Sequence, residues 1–117
     1  NVAAVNCAID IMLGEPERIQ HLWDVSEYAR KQFKERGFDT GNSCTPIIPL
    51  FVRDTEKAFI VCNMLLDDGV FVTPVVAPAV PENDSMIRFA LMATHTFEQV
   101  DIAVEKITKI FKQLEII

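Results

Sequence analysis

Apolar residues recur along the chain with two periods, and the switches between them divide it into helices and strands. Residues 1–13 carry Val5, Ile9, Met12 and Leu13 at helical spacing with alanines between, and Gly14 ends the run. Glu15-Pro16-Glu17 opens a second predicted helix, since proline fits the first turn and acids there complement the helix dipole. Its inner stripe is Ile19, Leu22, Trp23, Ser26, Ala29, Arg30 and Phe33, and Lys34, Arg36 and Gly37 close it. After a loop over 38–46, Ile47 to Val52 reads as a strand, and Pro49 within it requires an edge position or a bulge. Asp54 is the predicted N-cap of a third helix, with Ala58, Val61, Cys62 and Leu65 inward and Asp68-Gly69 at its end. Val70 to Thr73 is the second predicted strand. A loop rich in proline, Pro74 to Pro81, and an acidic turn at Glu82-Asn83-Asp84 lead to a third strand from Met86 to Met92. Thr96 and Gln99 form a capping-box pattern ahead of a last helix built on Val100, Ala103, Val104, Ile107, Phe111 and Leu114.

The order from residue 47 is strand, helix, strand, strand, helix. It predicts an α+β fold: a three- to four-stranded mixed or antiparallel sheet with helices mainly on one face. The sheet is wholly antiparallel if the third strand lies between the other two. The first two strands are apolar on both sides, the pattern of a sheet covered twice. The helices at hand cover one face, so a missing domain or subunit is expected on the other.

In the third strand, Ile87, Phe89 and Leu91 share one face, and Met86, Arg88, Ala90 and Met92 the other. A guanidinium among apolar neighbours is costly unless it meets an anion. Arg88 is therefore the candidate anion-binding residue, facing an interdomain cleft or paired with an acid of the same chain. His95, just before the last helix, either donates a proton at that cleft or orders the turn through backbone hydrogen bonds. The 77–83 loop, with Pro78, Ala79 and Val80, either lines the cleft or is a plain connector. His21 reads as a surface residue. Met64, Met86 and Met92 could touch an acyl chain, though methionine in a core needs no such role.

Composition narrows the classes. The 117 residues suffice for one core, half of them are hydrophobic, and mean hydropathy is +0.19. That is apolar for a small domain and again implies a covered surface. Net charge is −6 with no basic run longer than a pair, which argues against nucleic acid. No apolar run approaches a membrane span, and no positively charged leader precedes the apolar start. The opening residues read as the middle of a helix, as in a cut fragment. Cys7, Cys44 and Cys62 lack metal-ligand spacing and are expected to be reduced, mostly buried thiols of a cytoplasmic protein.

Four pieces, in order, carry a family resemblance: Thr45-Pro46-Ile47-Ile48-Pro49, the Leu65–Val72 turn with Gly69, Pro78-Ala79-Val80-Pro81, and Arg88 through Ala93 to His95-Thr96. Together they resemble the small carboxyl-terminal domain of the α-oxoamine synthases. These are fold-type I pyridoxal phosphate (PLP) enzymes grouped with class I/II aminotransferases. Bacterial serine palmitoyltransferases are the most similar members, with 8-amino-7-oxononanoate synthase and 2-amino-3-ketobutyrate CoA ligase as near relatives. The resemblance implies a homodimeric acyltransferase that condenses an amino acid with an acyl-CoA, PLP serving as electron sink. It implies that Arg88 holds the substrate carboxylate in two parallel hydrogen bonds.

Residues 1–13 would be a helix leading in from a missing large domain, and 14–117 the small domain. The family's Schiff-base lysine matches none of Lys31, Lys34, Lys57, Lys106, Lys109 and Lys112, all expected on solvent-facing helix positions, and no glycine-rich phosphate cradle is present. The chain alone is thus expected to supply no catalytic, cofactor-binding or metal-binding residue and to be inactive. The alternative is a freestanding ferredoxin-like ligand-binding or regulatory module, with Arg88 meeting an effector or a dimer partner.

Overall fold

A computed structural model describes residues 1–117. Four helices, α1 (Val2–Gly14), α2 (Glu17–Glu35), α3 (Thr55–Asp67) and α4 (Phe97–Gln113), accompany three strands, β1 (Ile47–Phe51), β2 (Thr73–Val75) and β3 (Met86–Ala90), with a 3-10 turn over Glu82–Asp84. The strand order is β1-β3-β2 and both pairings are antiparallel. This is the predicted α+β class, with the third strand inserted between the other two.

The register explains both prolines. Ser85 accepts from Val52 N–H at 3.0 Å and Leu91 N–H donates to Pro46 at 3.1 Å. With Ile48 opposite Phe89 and Leu50 opposite Ile87, the peptide groups of 85, 87, 89 and 91 face β1. Pro49 stands opposite Arg88 and Pro74 opposite Ile87. Both occupy outward-facing positions of edge strands, where no ladder donor is lost.

Ile48, Leu50, Ile87 and Phe89 point to the covered face and join a single cluster of 19 buried apolar residues. Helix α2 contributes Val25, Ala29 and Phe33, α3 contributes Ala58, Val61 and Leu65, and α4 contributes Val100, Val104, Ile107, Ile110 and Phe111. The predicted stripes of α3 and α4 hold in outline, although Cys62, Ala103 and Leu114 are only half-buried. On α2 the predicted stripe is fully buried only at Ser26, Ala29 and Phe33, with Leu22 half-buried against the core, and Val25, outside that stripe, is buried as well. Ile19 and Trp23 remain 47% and 45% exposed, because the first turns of the helix overhang the core.

Three helices stop in the same way. The residue after the cap adopts positive φ at Gly37, Gly69 and Glu115. The next N–H then reaches back to the third-last turn position: Phe38 to Phe33 at 3.1 Å, Val70 to Leu65 at 2.7 Å and Ile116 to Phe111 at 2.9 Å. This corrects the second predicted strand. Val70 N–H closes the end of α3, and pairing with β3 starts only at Thr73, three residues after the expected start, and runs through Pro74 to Val75. At the helix starts the expectations hold. Asp54 accepts from Lys57 N–H at 2.8 Å, and Thr96 and Gln99 form the reciprocal box at 3.2 and 3.0 Å. Such a cap contributes on the order of 1 kcal/mol.

Helix α1 forms as predicted but buries no residue. Val2, Val5, Met12 and Leu13 are all more than half exposed. The cysteines depart from expectation as well: Cys7 and Cys44 are exposed, and only Cys62 is half-buried. Cys7 lies on the uncovered helix and Cys44 in the 38–46 loop, so neither has core to pack against. Burial pushes the Cys62 thiol up to about 11.

Candidate functional site

The uncovered sheet face is set by the ladder. Arg88 pairs with Pro49 on one side and Thr73 on the other, and Met86 and Ala90 flank it along β3. Its side chain is exposed and makes no hydrogen bond or ion pair within the chain. Ile47, Pro49 and Phe51 carry the apolar surface of this face onto β1. A guanidinium on an open, largely apolar sheet face, held at the centre of three strands, is free to take an anion from outside.

Beside Arg88 the sheet opens. β2 and β3 stop pairing beyond Thr73, and residues 69–72 swing away from 89–92. The gap is a cavity of about 620 Å³ with α4 as its third wall. The core stripe of α4 runs along Val100, Val104 and Ile107, while Gln99, Ile102, Ala103 and Lys106 form a second stripe lining the gap. Of the residues singled out in the sequence, Arg88, Met92 and His95 border this cavity. Pro78, Ala79 and Val80 are not among its walls: the first two are exposed and Val80 is half-buried. Met64 packs against the core, and Met86 is half-buried on the open sheet face. Phe71 and Ile102 were not singled out in the sequence, and Lys106 was expected only at a solvent-facing helix position. The i, i+3, i+4, i+7 spacing of Gln99, Ile102, Ala103 and Lys106 was the available signal for the α4 wall.

The turn between β3 and α4 is fixed from several directions. His95 Nδ1 accepts from Met92 N–H at 3.0 Å, and His95 N–H donates to the Met92 carbonyl at 3.1 Å. His95 therefore serves the turn through the backbone. As Nδ1 is the acceptor, the neutral ring carries its proton on Nε2. His21, expected on the surface, is instead a half-buried strut: its Nε2 donates to the His95 carbonyl at 2.9 Å and its ring meets the Phe97 ring edge-on at 6.0 Å. Its helical position is near enough to the α4 start for the imidazole to span the gap. Tyr28 donates to Asp101 at 2.6 Å and packs edge-on against Phe97 at 5.1 Å. That hydrogen bond to Asp101, with burial, raises the phenol above its ordinary value.

A second cluster sits at the opposite end of β1. Arg53, at φ 61, binds Asp39 at 2.7 Å and Asp84 at 3.2 Å and lies 4.8 Å over the Phe51 ring. It ties the 38–46 loop and the 82–84 turn to the end of the strand. Asp39 also accepts from Gly41 N–H at 3.0 Å, and that bond together with Arg53 holds its carboxyl below the usual range.

A family model, aminotransferase class I and II, matches residues 1–107. The chain belongs to this family. Serine palmitoyltransferase of Sphingobacterium spiritivorum is 55% identical over 99% of the chain, and that of Bacteroides thetaiotaomicron 50% over 98%. The 8-amino-7-oxononanoate synthase of Symbiobacterium thermophilum is 41% identical over 98%. In each case the chain spans 29% of the relative's length. Among solved structures, serine palmitoyltransferase with PLP superposes with a TM-score of 0.93 at 24% identity, over 99% of this chain and 30% of that one. The S. paucimobilis enzyme with bound PLP-myriocin aldimine gives 0.91 at 24% identity and the same coverage. These likenesses show the fold.

The lysines weighed in the sequence fall into two groups. Lys57 is half-buried and donates to the Leu114 carbonyl at 3.1 Å, and Lys106 is half-buried and donates to the Asp68 carbonyl. Both depart from the expected solvent-facing placement, since their stems lie along α3–α4 contacts and their ammonium groups close helix ends. Lys31, Lys34, Lys109 and Lys112 are exposed, with none of the desolvation that activates a lysine. No helix is long and apolar enough to cross a membrane.

Proposed function

We propose that this chain is the small domain of a PLP-dependent α-oxoamine synthase, an acyltransferase that condenses an amino acid with an acyl-CoA. Arg88 is its anchor for the amino-acid carboxylate. The observation that carries this reading is an unpaired guanidinium at the centre of an open sheet face, in a chain of the aminotransferase class I and II family. The names of the relatives at 50–55% identity make serine and a long-chain acyl-CoA the first substrates to test. Residues 1–13 lead in from a large domain that holds the cofactor, and 14–117 are the small domain. The wholly uncovered apolar α1 supports that division, because such a helix is stable only when packed. A cytoplasmic homodimer fits three unbonded cysteines and an apolar sheet face awaiting cover. Family membership disfavours the freestanding module.

In this role Arg88 binds and orients. Two parallel N–H···O bonds fix the plane of a carboxylate, and β3, paired on both sides, keeps the fork in place. The test is Arg88→Ala in the full-length protein, titrated with amino acid while the absorbance of the bound cofactor is followed. Each charge-assisted bond is worth about 1.5–3 kcal/mol and the substitution removes both, so the dissociation constant should rise roughly a hundredfold or more with cofactor loading unchanged. An unaltered dissociation constant would remove Arg88 from this role.

A further inference from the structure

The gap between the splayed strands is more than a neighbour of Arg88. Its walls hold no aspartate or glutamate, although the chain carries 17 acids and a net charge of −6. Its only charged lining groups are Arg88 and Lys106. Its rim is apolar side chain left in the open: Phe71 is 77% exposed, Met92 59% and Ile102 53%. Behind the rim, Val70, Leu91 and Val100 continue the apolar wall. A volume of about 620 Å³ lies within the roughly 300–1,000 Å³ usual for small-molecule sites.

We propose that this wedge takes the acyl chain of the thioester substrate, with Phe71, Met92 and Ile102 setting the chain length it accepts. The inference rests on the acyltransferase reading above and adds the location of the second substrate. An acyl chain is apolar and ends in a polar thioester, and the wedge offers apolar walls with no carboxylate among them. The opening is built into the fold. β2 pairs with β3 only through Thr73, Pro74 and Val75, and residues 70–72, expected to extend that strand, make no bridge to β3. By the alternation of the ladder, the peptide groups of Ala90 face the gap without a partner strand. They can meet the polar thioester end of a chain whose tail lies along Ile102.

The experiment uses the full-length holoenzyme without amino acid, so that nothing turns over. Acyl-CoAs of 8 to 16 carbons are titrated calorimetrically into the wild type, Ile102→Trp and Ile102→Ala. A buried methylene is worth about 0.8 kcal/mol, so wild-type affinity should rise by up to about fourfold per carbon until the wedge is full. Ile102→Trp should end the rise at a shorter chain and Ile102→Ala at a longer one. Amino-acid titration of each variant reports that the holoenzyme is assembled. If both variants keep the wild-type chain-length profile, the acyl chain lies elsewhere, and this inference fails while the acyltransferase reading stands. If the wild type binds no acyl-CoA, this inference fails, and if it also releases no free CoA thiol once amino acid is added, the acyltransferase reading fails with it.

Discussion

Phe33 tests whether the position of Arg88 depends on the packing beneath it. Phe33 is fully buried at the end of α2 and meets Phe38 edge-on at 5.0 Å and Phe89 at 5.1 Å. Phe38 in turn lies 4.8 Å from Phe111 of α4. Phe89 is the residue next to Arg88, on the opposite face of β3, so this aromatic cluster clamps the strand that presents the guanidinium. Phe33→Ala would cost about 3–5 kcal/mol, which could unfold a domain whose whole stability is of order 5–15 kcal/mol. Phe33→Leu is the better perturbation. It keeps most of the buried area and removes two edge-on aromatic contacts worth about 0.5–1.5 kcal/mol each, so a loss of about 1–3 kcal/mol is expected. Urea unfolding of the 117-residue chain, followed by circular dichroism, gives the loss. A double-mutant cycle with Phe89→Leu isolates the direct pair, expected at about 0.5–1.5 kcal/mol. In the full-length protein, Phe33→Leu should also weaken amino-acid binding, by less than Arg88→Ala. A coupling near zero, or a variant that loses stability while amino-acid affinity is untouched, would refute the claim that this cluster holds Arg88 in place.

Two further outcomes follow from the shifted groups. Asp39 has its carboxyl held below the usual value by Gly41 and Arg53, so its contribution to stability is complete above the unfolded value of about 3.9 and is lost as pH falls through the lower folded one. An NMR titration should place its midpoint below that value, and Arg53→Gln should move it upward. The three thiols of the chain should react unequally: at pH 8, Cys7 and Cys44 label quickly with a disulfide reagent, and Cys62, pushed up to about 11 and half-buried, labels slowly. Equal rates at all three would contradict its burial.

What could be seen in the sequence was what short-range chemistry writes into it. The Asp54 cap, the Thr96–Gln99 box, the alternation around Arg88 and the edge placement of Pro49 depend on neighbours within a few residues, and the structure has them as expected. What could not be seen depends on where elements end against one another. Val70 to Thr73 has the composition of a strand, yet only Thr73 pairs with β3, and the unpaired 70–72 stretch leaves the gap beside Arg88. His21 looks like a surface residue until α2 is laid across the start of α4. Ile19 and Trp23 fit the α2 period but lie beyond the sheet the helix packs on. The exposure of Cys7 has the same cause, since periodicity tells which side of a helix is apolar but not whether anything faces it.

The two prolines have an effect beyond their own strands. Pro49 lies on one margin of the sheet and Pro74 on the other, each turning a nitrogen without hydrogen toward solvent. An incoming strand, from a neighbouring copy or a nascent chain, would find its ladder interrupted on either side. A sheet interrupted on both margins is thereby guarded against growing fibrils even where its hydrocarbon is uncovered.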